Sequence, residues 1–327
     1  MQNKIRWGII GCGKIANKFA SDLLLSTTSQ LYACASRNSE NAITFAQKYH
    51  IRHYFTEYID LVKCAEVDAI YIATPHSHHF EHASLCLHNR KSVLCEKPLT
   101  VNHLLASKLI ELAKNNNCLL VEAMWTAFLP AIQEIKEKIS SGSIGEIRHI
   151  KADFGFKSLF DPDSRLFNPD LAGGALLDIG IYPLFISLFF LGVPESVIAT
   201  AHLADTGVDS ECTVMLKYKN GATAVLYSSI NINTDTKCEV FGTEGKITIP
   251  TRFHEQGQYI IKKDDSESAL FIKDKMGFGY CHEIEHFNAC ISEGLKESPV
   301  MPFSLSLDMI QLMDEIRKQT GVKYKYD

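Results

Sequence analysis

Short apolar runs alternate with amphipathic stretches over the first 123 residues of the chain. Five runs have the length and apolar content of buried strands, and they are residues 5–10, 31–36, 69–74, 92–97 and 118–123. Helical spacing of apolar residues marks the stretches 14–25, 39–49, 78–89 and 102–115, with Ser39 as the predicted N-cap of the second. Strands that alternate with helices form a parallel sheet covered on both faces. The pattern therefore predicts an α/β domain over residues 1–123, with a doubly wound parallel sheet.

The pattern changes after residue 123. A helix (128–141), a strand (147–156), a polar loop and a Gly-Gly-led helix (174–191) come first. Alternating strands follow at 195–204, 211–218, 222–232, 237–243, 245–250, 258–263 and 269–273, and two helices (279–294 and 304–319) close the chain. Turns such as Lys219-Asn220-Gly221 join consecutive strands, which is typical of antiparallel pairing. We expect a second, α+β domain over residues 124–327 with a large, mostly antiparallel open sheet.

An open sheet of this size has a face that its own helices leave uncovered. A second copy of the chain can cover that face, and two-fold pairing is the commonest way for a protein to assemble. We therefore expect a homodimer that forms through the C-terminal sheet.

A glycine-rich turn, GCGKIA, joins the first strand to the first helix. Gly11 permits the tight turn, Gly13 permits close approach of a pyrophosphate, and Ala16 permits close packing of helix on strand. Lys14 and Ile15 then lie at the helix N-terminus, whose N–H groups and partial positive charge favour phosphate. This strand–turn–helix context predicts a Rossmann domain that binds a dinucleotide.

The second strand ends at Ser36-Arg37-Asn38, and we expect these three residues to contact the cofactor. An enzyme that uses NAD usually has an acidic residue here for the ribose 2′-hydroxyl. This chain has none, and Arg37 with Ser36 can instead bind a 2′-phosphate. The predicted cofactor is NADP in preference to NAD.

Two further strand ends point to the same crevice, because ligands of such sheets bind outside the carboxyl ends of the strands. We expect cofactor contacts from both ends, and the residues are Thr74, Pro75, His76, His79, Glu96 and Lys97. The histidines of ATPHSHH raise the question of a metal site. A helix begins there and no acidic or thiol cluster is evident, so we predict no bound metal.

Composition narrows the class of protein. Apolar residues make up 46% and charged residues 22% of the 327 residues, as in ordinary globular proteins. A net charge of −5 provides no basic field for nucleic acid. The ten cysteines contain no C-x-x-C pair, which favours buried reduced thiols. No signal peptide is evident, and the apolar stretch 182–193 is short for a membrane span. We expect a cytoplasmic protein without a membrane partner.

The motifs GCGKIA, ATPHSHH, CEKPLTVN, EAMWTAF and GGALLDIGIYP, in this order, resemble the Gfo/Idh/MocA oxidoreductase family. The last two are most similar to the branch of dimeric dihydrodiol dehydrogenases and NADP-dependent D-xylose dehydrogenases. The resemblance implies hydride transfer between a nicotinamide and a hydroxyl-bearing carbon of a sugar, polyol or diol. It also implies that Lys97 is catalytic and that Asp178 and Tyr182 line the substrate pocket. Ala127 stands where relatives often have Arg, which puts the exact substrate in doubt.

The chemistry of these residues is consistent with that reaction. Oxidation of an alcohol needs a base, and the pKa of a free tyrosine, about 10, is too high unless a nearby ammonium lowers it. Tyr182 is the predicted acid/base, with Lys97 as its electrostatic partner, although Lys97 itself could be the base. Asp178 and Tyr182, four residues apart on a predicted helix, share one face. Asp178 could orient the substrate or cap the helix.

Five further residues are predicted to contact the substrate, and they are Trp125, Phe128, Phe154, Arg165 and Asn168. Packing between domains explains the two aromatic residues after the last Rossmann strand equally well, and a solvated loop explains Arg165 and Asn168 equally well. Two other functions stay open: an NAD-dependent glycosidase of the same fold, and a dinucleotide sensor without catalysis.

Overall fold

The computed structural model describes residues 4–264 and 266–327, and its contacts divide the chain into two compact units. The first unit contains residues up to 100, residues 104–128 and residues 276–306. The second contains residues 101–103, 129–275 and 307–327. The predicted boundary after residue 123 places residues 276–306 in the second domain, whereas these contacts group them with the first.

The first unit contains a six-stranded, fully parallel sheet in the order β3-β2-β1-β4-β5-β6. Its strands are β1 (Ile5–Ile10), β2 (Ser29–Ala35), β3 (His53–Phe55), β4 (Ala69–Ile72), β5 (Ser92–Glu96) and β6 (Leu120–Ala123). Its helices are α1 (Lys14–Leu23), α2 (Ser39–Lys48), α3 (Tyr58–Lys63), α4 (His79–His88), α5 (His103–Asn115) and α8 (Tyr280–Ser292). The predicted parallel α/β domain is confirmed. β3 and α3 were not predicted, because three and six residues are too few for a clear periodicity.

Asp22, at the end of α1, explains why α8 belongs to the first unit. Its buried carboxylate accepts hydrogen bonds from the backbone N–H groups of Phe278 (2.9 Å), Gly279 (3.0 Å) and Tyr280 (2.8 Å). A carboxylate at a helix N-terminus satisfies unpaired N–H groups and complements the helix dipole. Gly277 has φ +57° and lies so close to Asp22 that a Cβ atom would come within 2.1 Å of a carboxylate oxygen. This contact joins positions more than 250 residues apart, and no local sequence pattern reveals it.

The N-cap of α2 differs from the prediction. Asn38, not Ser39, is the cap, because its side-chain oxygen accepts a hydrogen bond from Asn41 N at 3.0 Å. Ser39 is the first residue of the helix. Both residue types are favourable N-caps, so composition alone did not separate them.

The second unit contains an eight-stranded sheet in the order β14-β13-β12-β11-β7-β10-β9-β8. Its strands are β7 (Ile147–Gly155), β8 (Ser196–Leu203), β9 (Asp209–Lys217), β10 (Thr223–Ser229), β11 (Cys238–Gly242), β12 (Gly245–Ile249), β13 (Gln258–Lys263) and β14 (Ala269–Ile272). The remaining helices are α6 (Pro130–Ser140), α7 (Ile181–Leu191) and α9 (Phe303–Thr320). The pair β7–β10 is parallel and the other pairs are antiparallel. The predicted α+β architecture is confirmed.

Asp209, the first residue of β9, positions the segment that leads into α7. Its Oδ2 accepts a hydrogen bond from Leu176 N at 2.6 Å, where a π-helical turn (Leu176–Gly180) begins. Gly174 has φ +116°, and a Cβ atom there would come within 2.3 Å of Asp209 Oδ1. The Gly-Gly sequence therefore lets this carboxylate approach the helix start.

Among the described residues, the helical segment Pro169–Leu191 is the one helix long and apolar enough to cross a membrane. It has 23 residues and a mean hydropathy of 1.9. It is therefore longer than the apolar stretch 182–193 that the sequence pattern indicated. However, 89% of its most apolar window is buried inside the protein. Such burial is typical of a core helix.

Candidate active site

The glycine turn after β1 has the geometry that its sequence predicts. Gly11 has φ +93°, and a Cβ atom at this position would come within 2.9 Å of the Ala73 carbonyl oxygen. A side chain here would therefore combine backbone strain with a collision. Ala16, in the first turn of α1, is fully buried, and its small side chain permits close packing of the helix on the strand.

Gly13 leaves the space in front of α1 open. A Cβ atom at Gly13 would meet no described atom within 4 Å, and Lys14 and Ile15 are exposed beside it. Gly13 is also the N-cap of α1 and has no side chain to occupy the first N–H groups. Open space before an uncapped helix N-terminus fits a pyrophosphate, so the residues present suit a dinucleotide.

The end of β2 carries an exposed cation and no acid. Arg37 is exposed, whereas Ser36 is buried and its Oγ accepts a hydrogen bond from Asn38 N at 3.3 Å. Tyr58, on the unpredicted helix α3, lies beside Arg37. Burial raises the pKa of the Tyr58 hydroxyl, and the charge and hydrogen bonds of Arg37 partly offset this.

The turn that carries Lys97 is held from several directions. The Lys97–Pro98 peptide bond is cis. Glu122 Oε1, on β6, accepts a hydrogen bond from Leu99 N at 2.8 Å, and His79 Nδ1 lies 2.7 Å from the Pro98 carbonyl oxygen. Glu96, just before the lysine, accepts a short hydrogen bond from the Tyr71 hydroxyl and one from Lys97 N. Lys97 is thus fixed on a well-supported backbone, with 8% of its surface exposed.

Two buried acids, Glu122 and Glu283, lie near Glu96 at the end of β5. Burial raises the pKa of Glu122 to about 7. Glu283, on α8, is 1% exposed, and neither of its carboxylate oxygens has a hydrogen-bond partner among the described residues. Burial, together with the charges of Glu96 and Asp22, raises the pKa of Glu283 well above its ordinary value. These surroundings therefore favour the protonated form of Glu283.

His79 supports the site from within the first unit. It is fully buried, and its Nε2 lies 2.8 Å from the Thr74 carbonyl oxygen. Burial lowers the pKa of His79 to about 4, so the imidazole is neutral at pH 7. A neutral imidazole has one N–H, so His79 donates a hydrogen bond to only one of these two carbonyl oxygens, at Thr74 or at Pro98. A direct contact with the cofactor stays a prediction. Pro75 and His76 are half-buried at the same strand end.

In the second unit, Asp178 lies in the π-helical turn and Tyr182 in the first turn of α7. The sequence pattern predicted that both residues lie on one regular α-helix. The structure instead has a π-helical turn at Asp178, followed by α7. Irregular turns of this kind occur frequently at functional sites. Arg165 Nη1 donates to Asp178 Oδ1 at 2.8 Å, so two predicted site residues are brought together.

Tyr182 also belongs to an aromatic cluster. The Phe154 ring centroid lies 5.6 Å from that of Tyr182, and His254 lies 4.3 Å from Phe154 and 5.0 Å from Tyr182. His254 was not predicted, because it follows β12 in a 3-10 turn and only the fold brings it to the other two rings. The three rings pack against one another, and those of Tyr182 and His254 are buried.

The other predicted substrate residues, Trp125, Phe128 and Asn168, contact other residues of the protein. Trp125 stacks on Tyr280 at 4.9 Å with an interplanar angle of 4°, and Phe128 packs on His286 at 4.9 Å. Asn168 Oδ1 accepts a hydrogen bond from Asp170 N at 2.8 Å and so caps a short 3-10 turn. Packing and capping account for these three residues, and their contact with substrate stays a prediction.

Comparison with known proteins agrees with this geometry. The profile described as "Oxidoreductase family, NAD-binding Rossmann fold" matches residues 5–124, and the "GFO/IDH/MocA C-terminal domain" matches residues 132–248. The chain belongs to the Gfo/Idh/MocA oxidoreductase family. The resemblance inferred from the motifs is thereby confirmed.

Similar proteins of this family include full-length relatives. Trans-1,2-dihydrobenzene-1,2-diol dehydrogenase of Xenopus tropicalis is 37% identical over 98% of this chain and 99% of its own. The human enzyme of the same name is 34% identical over 99% of both chains. A 3-ketoreductase from Actinomadura kijaniata, crystallised with NADP and TDP-benzene, has a TM-score of 0.88 and 27% identity over 97% of this chain and 98% of its own. These likenesses make the protein an NAD(P)-dependent dehydrogenase of CH–OH groups in sugars or diols.

Proposed function

We propose that the protein is an NADP-dependent dehydrogenase of a vicinal diol or sugar. The observation that carries the choice of NADP is the end of β2, where Arg37 is exposed and the Ser36-Arg37-Asn38 sequence contains no carboxylate. A guanidinium offers a planar fork of donors that matches a phosphate. An acid at this place would repel the 2′-phosphate and favour NAD.

We also propose roles for the catalytic residues. A bound nicotinamide supplies the hydride acceptor. Tyr182 takes the proton of the substrate hydroxyl, and Lys97 donates a hydrogen bond to the substrate oxygen and favours the phenolate. Asp178, 6% exposed and paired with Arg165, orients the hydroxyl group.

An aromatic or cyclic diol is the substrate class that we favour. Two relatives carry the name trans-1,2-dihydrobenzene-1,2-diol dehydrogenase. In this chain, Phe154, Tyr182 and His254 group three rings within 5.6 Å of one another. Rings of this kind bury a flat apolar substrate face and leave its hydroxyl groups to polar side chains.

The cofactor proposal is tested by Arg37→Asp. We expect kcat/KM for NADP⁺ to fall far more than kcat/KM for NAD⁺, since only NADP⁺ carries the 2′-phosphate that an acid repels. Arg52→Asp is the matched control, because Arg52 is another exposed arginine of the same unit and the change in net charge is identical. Equal losses with both cofactors in Arg37→Asp would contradict the assignment.

We propose, in addition, that the protein is a homodimer through the second unit's sheet. Ile198, Met215 and Val225 pair across β8, β9 and β10 and so lie on the same face, with exposures of 62%, 45% and 39%. A row of exposed apolar side chains on one face at the β8 end of the sheet is typical of an interface. Light scattering should give a dimer mass that Met215→Asp lowers to a monomer mass. A monomeric wild-type protein at micromolar concentration would overturn this.

A further inference from the structure

The stretch HSHHFEH after β4 contains a side-chain cluster whose three members are not among the predicted cofactor contacts. One ring nitrogen of His78, one of His82 and a carboxylate oxygen of Glu81 lie within 4.8 Å of one another. His78 ends a 3-10 turn, and the other two residues lie in the first turn of α4. His78 precedes Glu81 by three residues and His82 by four, which are the spacings that bring side chains together across one helical turn. We propose that His78, Glu81 and His82 form a binding site for a divalent transition metal of the zinc class.

The donor set suits that class of ion. Imidazole nitrogen and carboxylate oxygen are zinc ligands, and three protein ligands leave a fourth position for water or an anion. Tetrahedral bonds of about 2.0–2.1 Å place neighbouring ligand atoms about 3.3 Å apart. His78 Nδ1 and Glu81 Oε2 already lie 3.9 Å apart. Because the side chain of Glu81 is 76% exposed, a small rotation can close the remaining gap.

His82 distinguishes this cluster from a chance group of surface residues. It is 5% exposed, and its Nδ1 lies 3.0 Å from Thr74 Oγ1. A ligating histidine usually has its second nitrogen bonded to a neighbour that fixes the ring, and Thr74 has that position. The ring of Tyr58 packs edge-on against His82 at 4.7 Å and restrains it further.

The prediction of no bound metal rested on the histidines of ATPHSHH, and Glu81 and His82 lie beyond that motif. The cluster lies near Arg37, whose charge acts on His82. The test is therefore done on the full-length, reduced protein without any dinucleotide. Its outcome is then independent of whether Arg37 selects NADP.

The experiment is a Zn²⁺ titration against a competing chromophoric chelator. Wild-type protein should hold a zinc ion whose affinity falls by roughly ten- to hundredfold or more in Glu81→Gln and in His78→Ala. His88→Ala is the matched control, because His88 is an exposed histidine at the other end of the same helix, outside the cluster. This control should bind zinc as the wild type does.

Thermal unfolding provides a second readout and shows that each variant is folded. Excess Zn²⁺ should raise the Tm of wild type and His88→Ala, because a ligand that binds the folded state stabilises it. The Tm of Glu81→Gln should not rise, because this variant lacks one of the three ligands. The proposal is overturned if wild type, His78→Ala and Glu81→Gln bind zinc equally well. It is also overturned if His88→Ala loses as much affinity as the cluster variants, since the binding would then be non-specific.

Discussion

The buried carboxyl group of Asp209 makes the free energy of unfolding fall as the pH rises. Its carboxyl group is 1% exposed, its Oδ2 accepts from Leu176 N, and burial raises its pKa from 3.8 to about 7. Since the folded state holds the proton more tightly than the unfolded chain, this contribution is fully present below about pH 4. It is lost as the pH rises towards about 7.

The magnitude follows from the shift of the pKa. A rise from 3.8 to about 7 is roughly three pH units, and each unit corresponds to about 1.4 kcal/mol. Ionisation of Asp209 therefore lowers the free energy of unfolding by up to about 4 kcal/mol. Between pH 5 and pH 7 the loss is about 2.5 kcal/mol, because the slope is about 1.4 kcal/mol per unit and flattens near the folded pKa.

Asp209→Asn isolates this effect. The amide keeps a carbonyl oxygen that can accept from Leu176 N, but it cannot ionise. Urea unfolding at a series of pH values should show a free energy that falls more steeply in wild type than in Asp209→Asn, by about 2.5 kcal/mol between pH 5 and pH 7. Glu122 and Glu283 are buried acids in both proteins, so their contribution cancels in the difference.

Glu211, two residues further along β9, is a control of opposite sign. Hydrogen bonds from Tyr227 and Asn231 lower the pKa of its carboxyl group. Its contribution is present above the ordinary pKa of a glutamate and is lost as the pH falls, so Glu211→Gln should flatten the acid side of the curve. Identical pH slopes in wild type and Asp209→Asn would refute the reasoning about Asp209.

Three further variants test single contacts. Tyr182→Phe keeps the ring packed on Phe154 and His254 but should lower kcat by roughly 10²–10⁴ in steady-state assays; an unchanged kcat would transfer the acid/base role to Lys97. Asn38→Ala removes the N-cap of α2 and should cost about 1 kcal/mol in urea unfolding, whereas Asn38→Asp keeps the cap; equal stability of both variants would exclude the capping role. Gly180→Ala places a Cβ atom 2.8 Å from Ser228 Oγ and should cost about 1–3 kcal/mol, less in a Ser228→Ala background; an equal loss in both backgrounds would show that this contact is not the cause.

Local patterns predicted the parts of the fold that local chemistry determines. The alternation of apolar runs with helical stretches located five of the six parallel strands, and the glycine turn was predicted because Gly11 must adopt a positive φ. β3 was missed because its three residues carry no period. The place of α8 depends on Asp22, which lies far away in sequence, so only the folded chain reveals it.

In the candidate site, too, residues of local motifs were predicted, whereas residues placed by tertiary contacts were not. Lys97 and Tyr182 were found because they belong to short motifs of the family. Glu122, which supports the lysine turn, and His254, which packs on Tyr182, lie in segments without a motif. Their roles arise from tertiary contacts, and one sequence alone does not contain that information.

The central claim is that this chain oxidises a diol or sugar with NADP⁺, and its most direct test is steady-state kinetics on the wild-type protein. Formation of reduced nicotinamide is followed by absorbance with aromatic trans-dihydrodiols, pentoses, hexoses and inositols, each with NADP⁺ and with NAD⁺. The account predicts substrate-dependent reduction of the cofactor, with the higher kcat/KM for NADP⁺. Tight cofactor binding without turnover on any of these alcohols, or a clear preference for NAD⁺, would contradict it.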